Sequence, residues 1–130
     1  PRRRRMMMAA QVLVVDDDPA TVELLREFLS AKGYEVITAS DGDEALRKVK
    51  EERPHLILLD IQMPKMDGLE VLRRLREIDK EVGVIMITGV NEQEIARQAM
   101  ALGAFDYIVK PLDLPYLEQS LWYKISMMTL

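Results

Sequence analysis

The sequence predicts an α/β fold in which a doubly wound, five-stranded parallel sheet is covered by five helices. The first observation is that short apolar segments and amphipathic segments alternate five times along the 130 residues, which is typical of this fold class. The second is that residues 56–59 are all apolar, as in a strand that is buried on both faces. The third is that 48% of the residues are hydrophobic, which at this length supports one domain with one core.

The individual elements are placed by apolar periodicity and by residues that favour helix starts. Strands 1 to 5 are predicted at residues 12–15, 36–39, 56–59, 84–87 and 107–109. Helices 1 to 5 are predicted to begin at Asp18-Pro19, within residues 40–43, near Gly68, at a cap formed by Asn91, and near Asp113 or Leu114. Helix 4 offers only Ile95, Ala99 and Leu102 to the core, so it is predicted to be the least firmly packed helix.

Composition excludes several classes of function. The chain has no cysteine and a single histidine, His55, so neither a disulfide framework nor a zinc site is expected, and a reducing, cytoplasmic location suits it. Arg2 to Arg5 supply four of the 18 basic residues, so the rest of the chain contains 14 basic and 22 acidic residues. We expect an acidic domain of this kind not to bind nucleic acid directly. No apolar stretch approaches the roughly 20 residues that span a bilayer, so no membrane segment is expected.

Polar side chains follow four of the predicted strands at their carboxyl ends. They are Asp16, Asp17 and Asp18 after strand 1, Asp60 after strand 3, Thr88 after strand 4 and Lys110 after strand 5. In a parallel sheet these ends lie along one edge, so the side chains are expected to converge. Clustered carboxylates repel one another and favour a hard divalent cation such as Mg²⁺. A carboxylate, a metal, a hydroxyl and a lysine together are suited to phosphoryl chemistry, with Asp60 as the nucleophile.

Four motifs, in this order and spacing, give the chain a close resemblance to a known family. They are Val-Val-Asp-Asp-Asp-Pro at residues 14–19, Leu-Leu-Asp-Ile-Gln-Met-Pro-Lys-Met-Asp-Gly at 58–68, Ile-Thr-Gly at 87–89, and Asp-Tyr-Ile-Val-Lys-Pro-Leu at 106–112. Over about residues 10–125 the sequence resembles the receiver domain of bacterial two-component response regulators. The resemblance implies a flavodoxin-like, chemotaxis-regulator-like fold with strand order 2-1-3-4-5.

The resemblance also implies a role for each residue at the strand ends. Asp60 is expected to accept a phosphoryl group from a sensor histidine kinase or a phosphotransfer protein. The residues implied to hold Mg²⁺, or Mn²⁺, are Asp16, Asp17, Asp60 and Gln62 through its backbone carbonyl. Lys110 is expected to pair with the phosphoryl oxygens. The chain is then a signalling phosphoacceptor, not an enzyme, with at most self-phosphorylation from small phosphodonors and self-dephosphorylation.

Two further pairs of residues take their implied roles from the family positions. Thr88 is expected to shift towards the phosphoryl group, and Tyr107 to rotate into the space that it leaves. Gln62 and Val90 are expected to tune the lifetime of the phosphorylated state. Asp18 lies beyond the acidic pair of the family, and we interpret it as a cap for helix 1.

The resemblance places the output face on helix 4, strand 5 and helix 5. Its predicted residues include Gln98, Tyr107, Tyr116 and Gln119. An output domain, a downstream protein or a second copy of the chain are the partners expected there. We predict an N-terminal tail at residues 1–8, disordered or foreign to the domain, a receiver domain at 9–126, and the end of helix 5 or a linker at 127–130.

Three alternatives to a phosphoryl-accepting receiver remain at this point. One is a receiver-like protein-binding module that is never phosphorylated, although the acceptor, the acidic pair and the lysine are all present. Another is a phosphatase of the haloacid dehalogenase type, whose Asp-x-Asp-x-Thr/Val signature is missed at its last position by residues 16–20. The third is a flavin carrier, whose phosphate-binding loop is replaced here by acidic residues that would repel the cofactor.

Overall fold

The chain forms a five-stranded parallel sheet in the order β2-β1-β3-β4-β5. The computed structural model describes residues 10–89 and 91–128. The elements are β1 Gln11–Val15, α1 Pro19–Ala31, β2 Glu35–Ala39, α2 Gly42–Glu52, β3 Leu56–Asp60, α3 Gly68–Ile78, β4 Gly83–Thr88, α4 Gln93–Ala101, β5 Asp106–Val109 and α5 Leu114–Met128. The predicted fold class and strand order are confirmed. The predicted tail at residues 1–8, Val90 and the last two residues lie outside the described part of the chain.

Each strand is slightly longer than its apolar segment. β1, β2 and β5 each begin one residue earlier than predicted, β3 ends one residue later, and β4 is extended at both ends. The additional residues include polar ones, which the apolar pattern does not identify as part of a strand. Glu35 pairs with Gln11, and Asp60 pairs with Ile87. Strand ends are therefore set by the ladder of hydrogen bonds rather than by the apolar pattern.

The three central strands, β1, β3 and β4, are buried on both faces because helices cover each side of the sheet. On one side, alternate strand residues pack against α2, α3 and α4. On the other side, the intervening strand residues pack against α1 and α5. The members of β3 show the alternation, since Ile57 and Leu59 belong to the first layer and Leu56 and Leu58 to the second. This two-sided burial explains why residues 56–59 are uninterruptedly apolar.

Aspartates begin four of the helices. Their side chains accept hydrogen bonds from backbone N–H groups two or three residues further on, which satisfies donors that a helix leaves free at its start. They are Asp18, Asp41, Asp67 and Asp113. The cap predicted for Asn91 is wrong. Glu92 occupies the position before α4, and its side chain reaches back to accept from the Gly89 N–H group.

Helix α4 is anchored to the core by small side chains. Its buried residues are Ala96 and Ala99, and Ile95 and Leu102 are only partly buried. Alanine buries little apolar area, so these residues contribute little to the core; that α4 is the least firmly packed helix stays a prediction.

The end of α4 is tied down by an arginine of α3. Arg76 donates from Nη1 to the Val82 carbonyl at 2.8 Å and from Nη2 to the Gly103 carbonyl at 2.7 Å. The guanidinium group thereby links the loop before β4 to the loop that follows α4.

Helix α5 has one buried face and one exposed apolar face. Leu117, Leu121 and Ile125 are buried as predicted, whereas Trp122 and Tyr123 are about half exposed. Within residues 10–89 and 91–128, none of the helices combines the length and the apolar character that crossing a membrane requires.

Candidate functional site

The carboxyl ends of the central strands bring three carboxylates together. Val15 pairs with Leu59, so Asp16 and Asp60 follow on neighbouring strands at the same level. Their side chains are 1% and 3% exposed, whereas Asp17 is exposed. One carboxylate oxygen from each of Asp16, Asp17 and Asp60 can be chosen so that all lie within 4.8 Å of one another. The predicted convergence of these three residues is therefore observed.

An open cleft of about 360 Å³ lies over this cluster. It is lined by Asp16, Asp17, Asp18, Asp60, Gln62, Met63, Pro64 and Lys110. The cleft leaves room for a small group beside the Asp60 carboxylate, and its lining is mainly polar. Met63 and Pro64 were not predicted as lining residues, and only their position in the loop after β3 could have suggested it.

Few hydrogen bonds satisfy the two buried carboxylates. The Asp18 N–H group donates to Asp16 Oδ1 at 2.9 Å, and the Gln62 N–H group lies 3.4 Å from Asp60 Oδ1. Asp16 Oδ2 is buried and has no hydrogen-bond partner among the described residues. The Lys110 ammonium lies 4.0 Å from Asp16 Oδ2 and 3.7 Å from Asp60 Oδ2. The positive charge of one lysine therefore faces three acidic side chains.

The electrostatics of the cleft favour added positive charge. The pKa of Asp60 is raised to about 6, mainly by burial and next by the neighbouring Asp16, whereas Lys110 and the Gln62 N–H group act to lower it. Burial also raises the pKa of Asp16, against the opposing effects of the Asp18 N–H group and Lys110. These shifts mean that the protein does not fully compensate the two ionised carboxylates by itself.

The loop after β3 is closed tightly against the acceptor strand. The Gly68 N–H group donates to the Ile61 carbonyl at 2.8 Å, and Lys65 has a positive φ of 71° within the loop. A Cβ atom on Gly68 would lie 2.4 Å from the Asp60 carbonyl oxygen and 2.9 Å from Ile61 Cα. Glycine is required at this position because the backbone of α3 approaches the backbone of β3 so closely.

Thr88 and Tyr107 lie on the next two strands. Thr88 is completely buried, and its Oγ1 has no hydrogen-bond partner among the described residues. Its carbonyl accepts from the Lys110 N–H group at 2.8 Å, and the Lys110-Pro111 peptide bond is cis. Tyr107 is half-buried and packs against the α2–α4 side of the core. Neither Thr88 nor Tyr107 lines the cleft.

Asp18 has the role that was predicted for it, whereas Glu92 has a role that was not predicted. Asp18 caps α1 as predicted, accepting from the Ala20 N–H group at 3.1 Å, and its own N–H group also holds Asp16. Glu92 was not predicted to take part. It is 9% exposed, its Oε1 accepts from the Gly89 N–H group at 2.6 Å, and its Oε2 is buried without a partner among the described residues.

The residues at this edge fit a hard divalent cation. Asp16, Asp17 and Asp60 supply oxygen donors, which Mg²⁺ prefers. The unpartnered Asp16 Oδ2 and the raised pKa of both buried carboxyls are what a missing positive charge would leave. No similar group of acidic, histidine or cysteine side chains occurs elsewhere in the described part of the chain.

Comparison with known proteins identifies the family. The model of the response regulator receiver domain matches residues 12–121, so the chain belongs to the receiver domains of two-component response regulators. A solved receiver domain protein from Clostridium thermocellum superposes with a TM-score of 0.88 at 32% identity, covering 92% of this chain and 96% of that one. Receiver domains are signalling phosphoacceptors, and they interact with histidine kinases or phosphotransfer proteins.

Two curated relatives come from Bacillus subtilis. The chain is 45% identical over 96 residues to the alkaline phosphatase synthesis transcriptional regulatory protein PhoP, covering 74% of this chain but only 40% of PhoP. It is 40% identical over 91 residues to sporulation initiation phosphotransferase F, covering 70% of this chain and 73% of that protein. The family match leaves no support for the haloacid dehalogenase or flavin carrier alternatives.

Proposed function

We propose that the chain is a phosphorylation switch in which Asp60 is the phosphoacceptor. The observation that carries the proposal is the position of Asp60, buried at the end of β3 with Lys110 3.7 Å away and an open cleft in front of it. With a pKa of about 6, the carboxyl group is mostly ionised at neutral pH and available as a nucleophile.

The proposed transfer exchanges one bond for another at phosphorus. A carboxylate oxygen of Asp60 forms a bond to phosphorus while the P–N bond to a histidine of the donor breaks, and the electron pair remains on the imidazole nitrogen. The product is an acyl phosphate on Asp60. Lys110 is within reach of the carboxylate and would pair with the phosphoryl oxygens, which lowers the electrostatic cost of placing them beside Asp16 and Asp17.

We further propose that Asp16, Asp17, Asp60 and the backbone carbonyl of Gln62 hold Mg²⁺, or Mn²⁺ in its place. When bound, the cation supplies the positive charge that offsets both the carboxylates and the phosphoryl oxygens. The Gln62 N–H group already faces Asp60 Oδ1, so this residue lies beside the acceptor. We assign to the Gln62 side chain, and to Val90, the tuning of how long the phosphoryl group persists.

The switch would pass through Thr88 and Tyr107. The Thr88 hydroxyl is buried without a partner among the described residues, so a new acceptor nearby would give it a hydrogen bond that it now lacks. Its movement would open space for the half-buried Tyr107 ring and alter the face formed by α4, β5 and α5. Self-phosphorylation from small donors and self-dephosphorylation are the only reactions that we assign to the chain alone.

We propose a sensor histidine kinase or phosphotransfer protein as the donor and a cytoplasmic location for this chain. The α4–β5–α5 face, including Gln98, Tyr116 and Gln119, would act on an output domain, a downstream protein or a second copy. PhoP is described as a transcriptional regulatory protein, and we infer that any contact of this system with nucleic acid would be made outside this acidic chain. We place the receiver domain at residues 9–126.

Incubation with acetyl phosphate and Mg²⁺, followed by intact-mass measurement, tests the proposal. We expect the wild type to gain one phosphoryl group, and we expect the gain to require Mg²⁺ and to disappear in Asp60→Asn. Asp43→Asn, at an exposed position of α2, is the matched control and should be phosphorylated like the wild type. A wild type that binds Mg²⁺ but never gains this mass would instead be a receiver-like binding module.

A further inference from the structure

A notch separate from the acidic cleft lies between β5 and α5. It has a volume of about 250 Å³ and is lined by Phe105, Asp106, Tyr116, Gln119, Ser120 and Tyr123; we refer to it as the aromatic notch. Three aromatic rings and one carboxylate make up most of its wall. It lies on the face that the proposed function assigns to output, so its chemistry bears on what kind of partner binds there.

The carboxylate of the aromatic notch is held in a fixed position. Asp106 Oδ2 accepts from the Tyr116 hydroxyl at 2.9 Å and from the Ser120 hydroxyl at 2.8 Å. Asp106 Oδ1 accepts from the Tyr107 N–H group at 2.8 Å. Three donors occupy three of about four lone-pair sites of a carboxylate. None of these donors is charged, and no basic side chain in the described part of the chain forms an ion pair with Asp106.

The aromatic walls are exposed and available for stacking. The Phe105 and Tyr123 rings are stacked with centroids 6.1 Å apart and planes 24° apart. Tyr116 is 46% exposed and Tyr123 is 57% exposed. The Lys124 ammonium already lies 5.1 Å from the Phe105 ring centroid, which shows that a cation is compatible with this surface. The tyrosine rings have no such cation among the described residues.

We infer that the aromatic notch binds an arginine side chain presented by a protein partner. A planar guanidinium group stacks on aromatic rings and donates to a carboxylate at the same time, whereas an ammonium group is a compact point charge that is less suited to stacking. The remaining lone pair of Asp106 and the hydroxyl oxygens of Tyr116 and Ser120 can accept from it. Because Asp106 is already oriented, little side-chain entropy is lost on binding.

We expect a different protein to supply the arginine, because a second copy docked through this same face has no free guanidinium group to offer among its described residues. The basic side chains on and beside α4, β5 and α5 are Arg97, Lys110 and Lys124. Arg97 pairs with Glu94 at 3.0 Å, Lys110 faces the acidic cleft, and Lys124 lies on the Phe105 ring. A second copy docked through this face could therefore present only one guanidinium group, that of Arg97, which is already paired with Glu94.

The test uses N-acetyl-arginine amide as the probe and the full chain labelled with ¹⁵N, in the unphosphorylated state with Mg²⁺ present. We expect amide shifts clustered at Phe105, Asp106, Tyr116 and Ser120. N-acetyl-lysine amide is expected to bind at least about threefold more weakly, and the uncharged N-acetyl-citrulline amide about tenfold more weakly, as expected for stacking combined with a charged hydrogen bond.

Asp106→Asn removes the charge of the aromatic notch but keeps oxygen and nitrogen atoms in place, and we expect it to weaken arginine binding about tenfold. Asp43→Asn should leave binding unchanged, and the spectra themselves report whether each variant is folded. Shifts confined to the acidic cleft, or equal binding by Asp106→Asn and the wild type, would overturn the inference. Asp60→Asn should bind the probe normally, so a failure of the phosphorylation proposal is distinguishable from a failure here.

Discussion

The two sides of the acidic cleft are built differently. On the β3 side, the loop that follows Asp60 is closed by backbone hydrogen bonds. Asp67 caps the start of α3, and the backbone at Gly68 lies in close contact with the backbone of Asp60 and Ile61.

On the β4 side, two hydrogen bonds join Gly89 to Glu92, one to the Glu92 carboxylate and one from its backbone N–H group, and the helix that follows is anchored by two alanines. The proposed phosphoacceptor, Asp60, therefore lies on the tightly packed side, and Thr88, the residue proposed to move, lies on the loosely packed side.

The largest effect is expected from Gly68→Ala on the tightly packed side. The new Cβ would collide with backbone atoms of Asp60 and Ile61, which cannot move independently of β3. We expect a loss of roughly 2–3 kcal/mol in the free energy of unfolding, at the upper end for overpacking, together with loss of phosphorylation. Urea unfolding and the acetyl phosphate assay measure the two effects.

Gly83→Ala is the matched control for that substitution. The Cβ would meet the flexible Lys124 side chain at 3.1 Å, which can move aside. We expect it to cost less than about 1 kcal/mol. Equal destabilisation by the two substitutions would show that the backbone contact at Gly68 is not what fixes the acceptor loop.

The next effect is the pH dependence of stability in the absence of Mg²⁺. Because the pKa of Asp60 is raised from 3.8 to about 6 in the folded state, the folded protein binds this proton more tightly than the unfolded chain. The stabilisation is fully present below about pH 4 and is lost as the pH rises through 6. We expect a decrease of about 2 kcal/mol from this group between pH 4 and 7, measured by urea unfolding.

Asp60→Asn should remove that decrease and be more stable than the wild type at pH 7 without metal, whereas Asp43→Asn should follow the wild type. Addition of Mg²⁺ at pH 7 should raise the stability of the wild type more than that of Asp60→Asn. A stability difference between the wild type and Asp60→Asn that stays constant from pH 4 to 7 would contradict the assignment of a raised pKa to Asp60.

A smaller effect is expected from the helices that follow the two sides of the cleft. α3 buries Leu72 and Leu75, among other residues, whereas α4 buries Ala96 and Ala99. We expect amides in the centre of α4 to exchange with solvent about tenfold faster than those in the centre of α3, because less apolar area resists local opening. Hydrogen exchange followed by NMR compares the two helices in one sample. Slower amide exchange in α4 than in α3 would contradict the statement that the β4 side is packed more loosely than the β3 side.

The smallest effect is expected from Glu92→Ala. It removes the acceptor of the Gly89 N–H group, and we expect a loss of about 1 kcal/mol in the free energy of unfolding. Glu92→Gln retains an acceptor oxygen and should be close to the wild type. If the β4 side is the part that moves, Glu92→Ala should also change the rate of phosphorylation by acetyl phosphate, whereas Glu92→Gln should not.

Sequence reasoning found the elements and the residues at the strand ends because each leaves a local signal. Apolar periodicity marks the strands, and Asp60 and Lys110 follow directly after buried segments. Glu92 was missed because Asn91 is the stronger capping residue by type, and only the fold shows that the longer glutamate side chain reaches Gly89. The bonds from Tyr116 and Ser120 to Asp106 join residues ten and fourteen positions apart on different elements, so no local pattern encodes them.

The contacts of Arg76 determine how α4 is able to tilt. Its guanidinium group fixes the loop at the C-terminal end of the helix to the loop before β4. At the N-terminal end, outside the helix itself, Glu92 is joined only to the nearby Gly89 among the described residues, accepting from its N–H group and donating to its carbonyl. A helix of nine residues is about 13 Å long at 1.5 Å per residue. A rotation of about 10° around the fixed end would therefore carry the free end by roughly 2 Å over this length. If α4 tilts in this way, we expect Arg76 to act as the pivot and the displacement to be greatest next to Thr88.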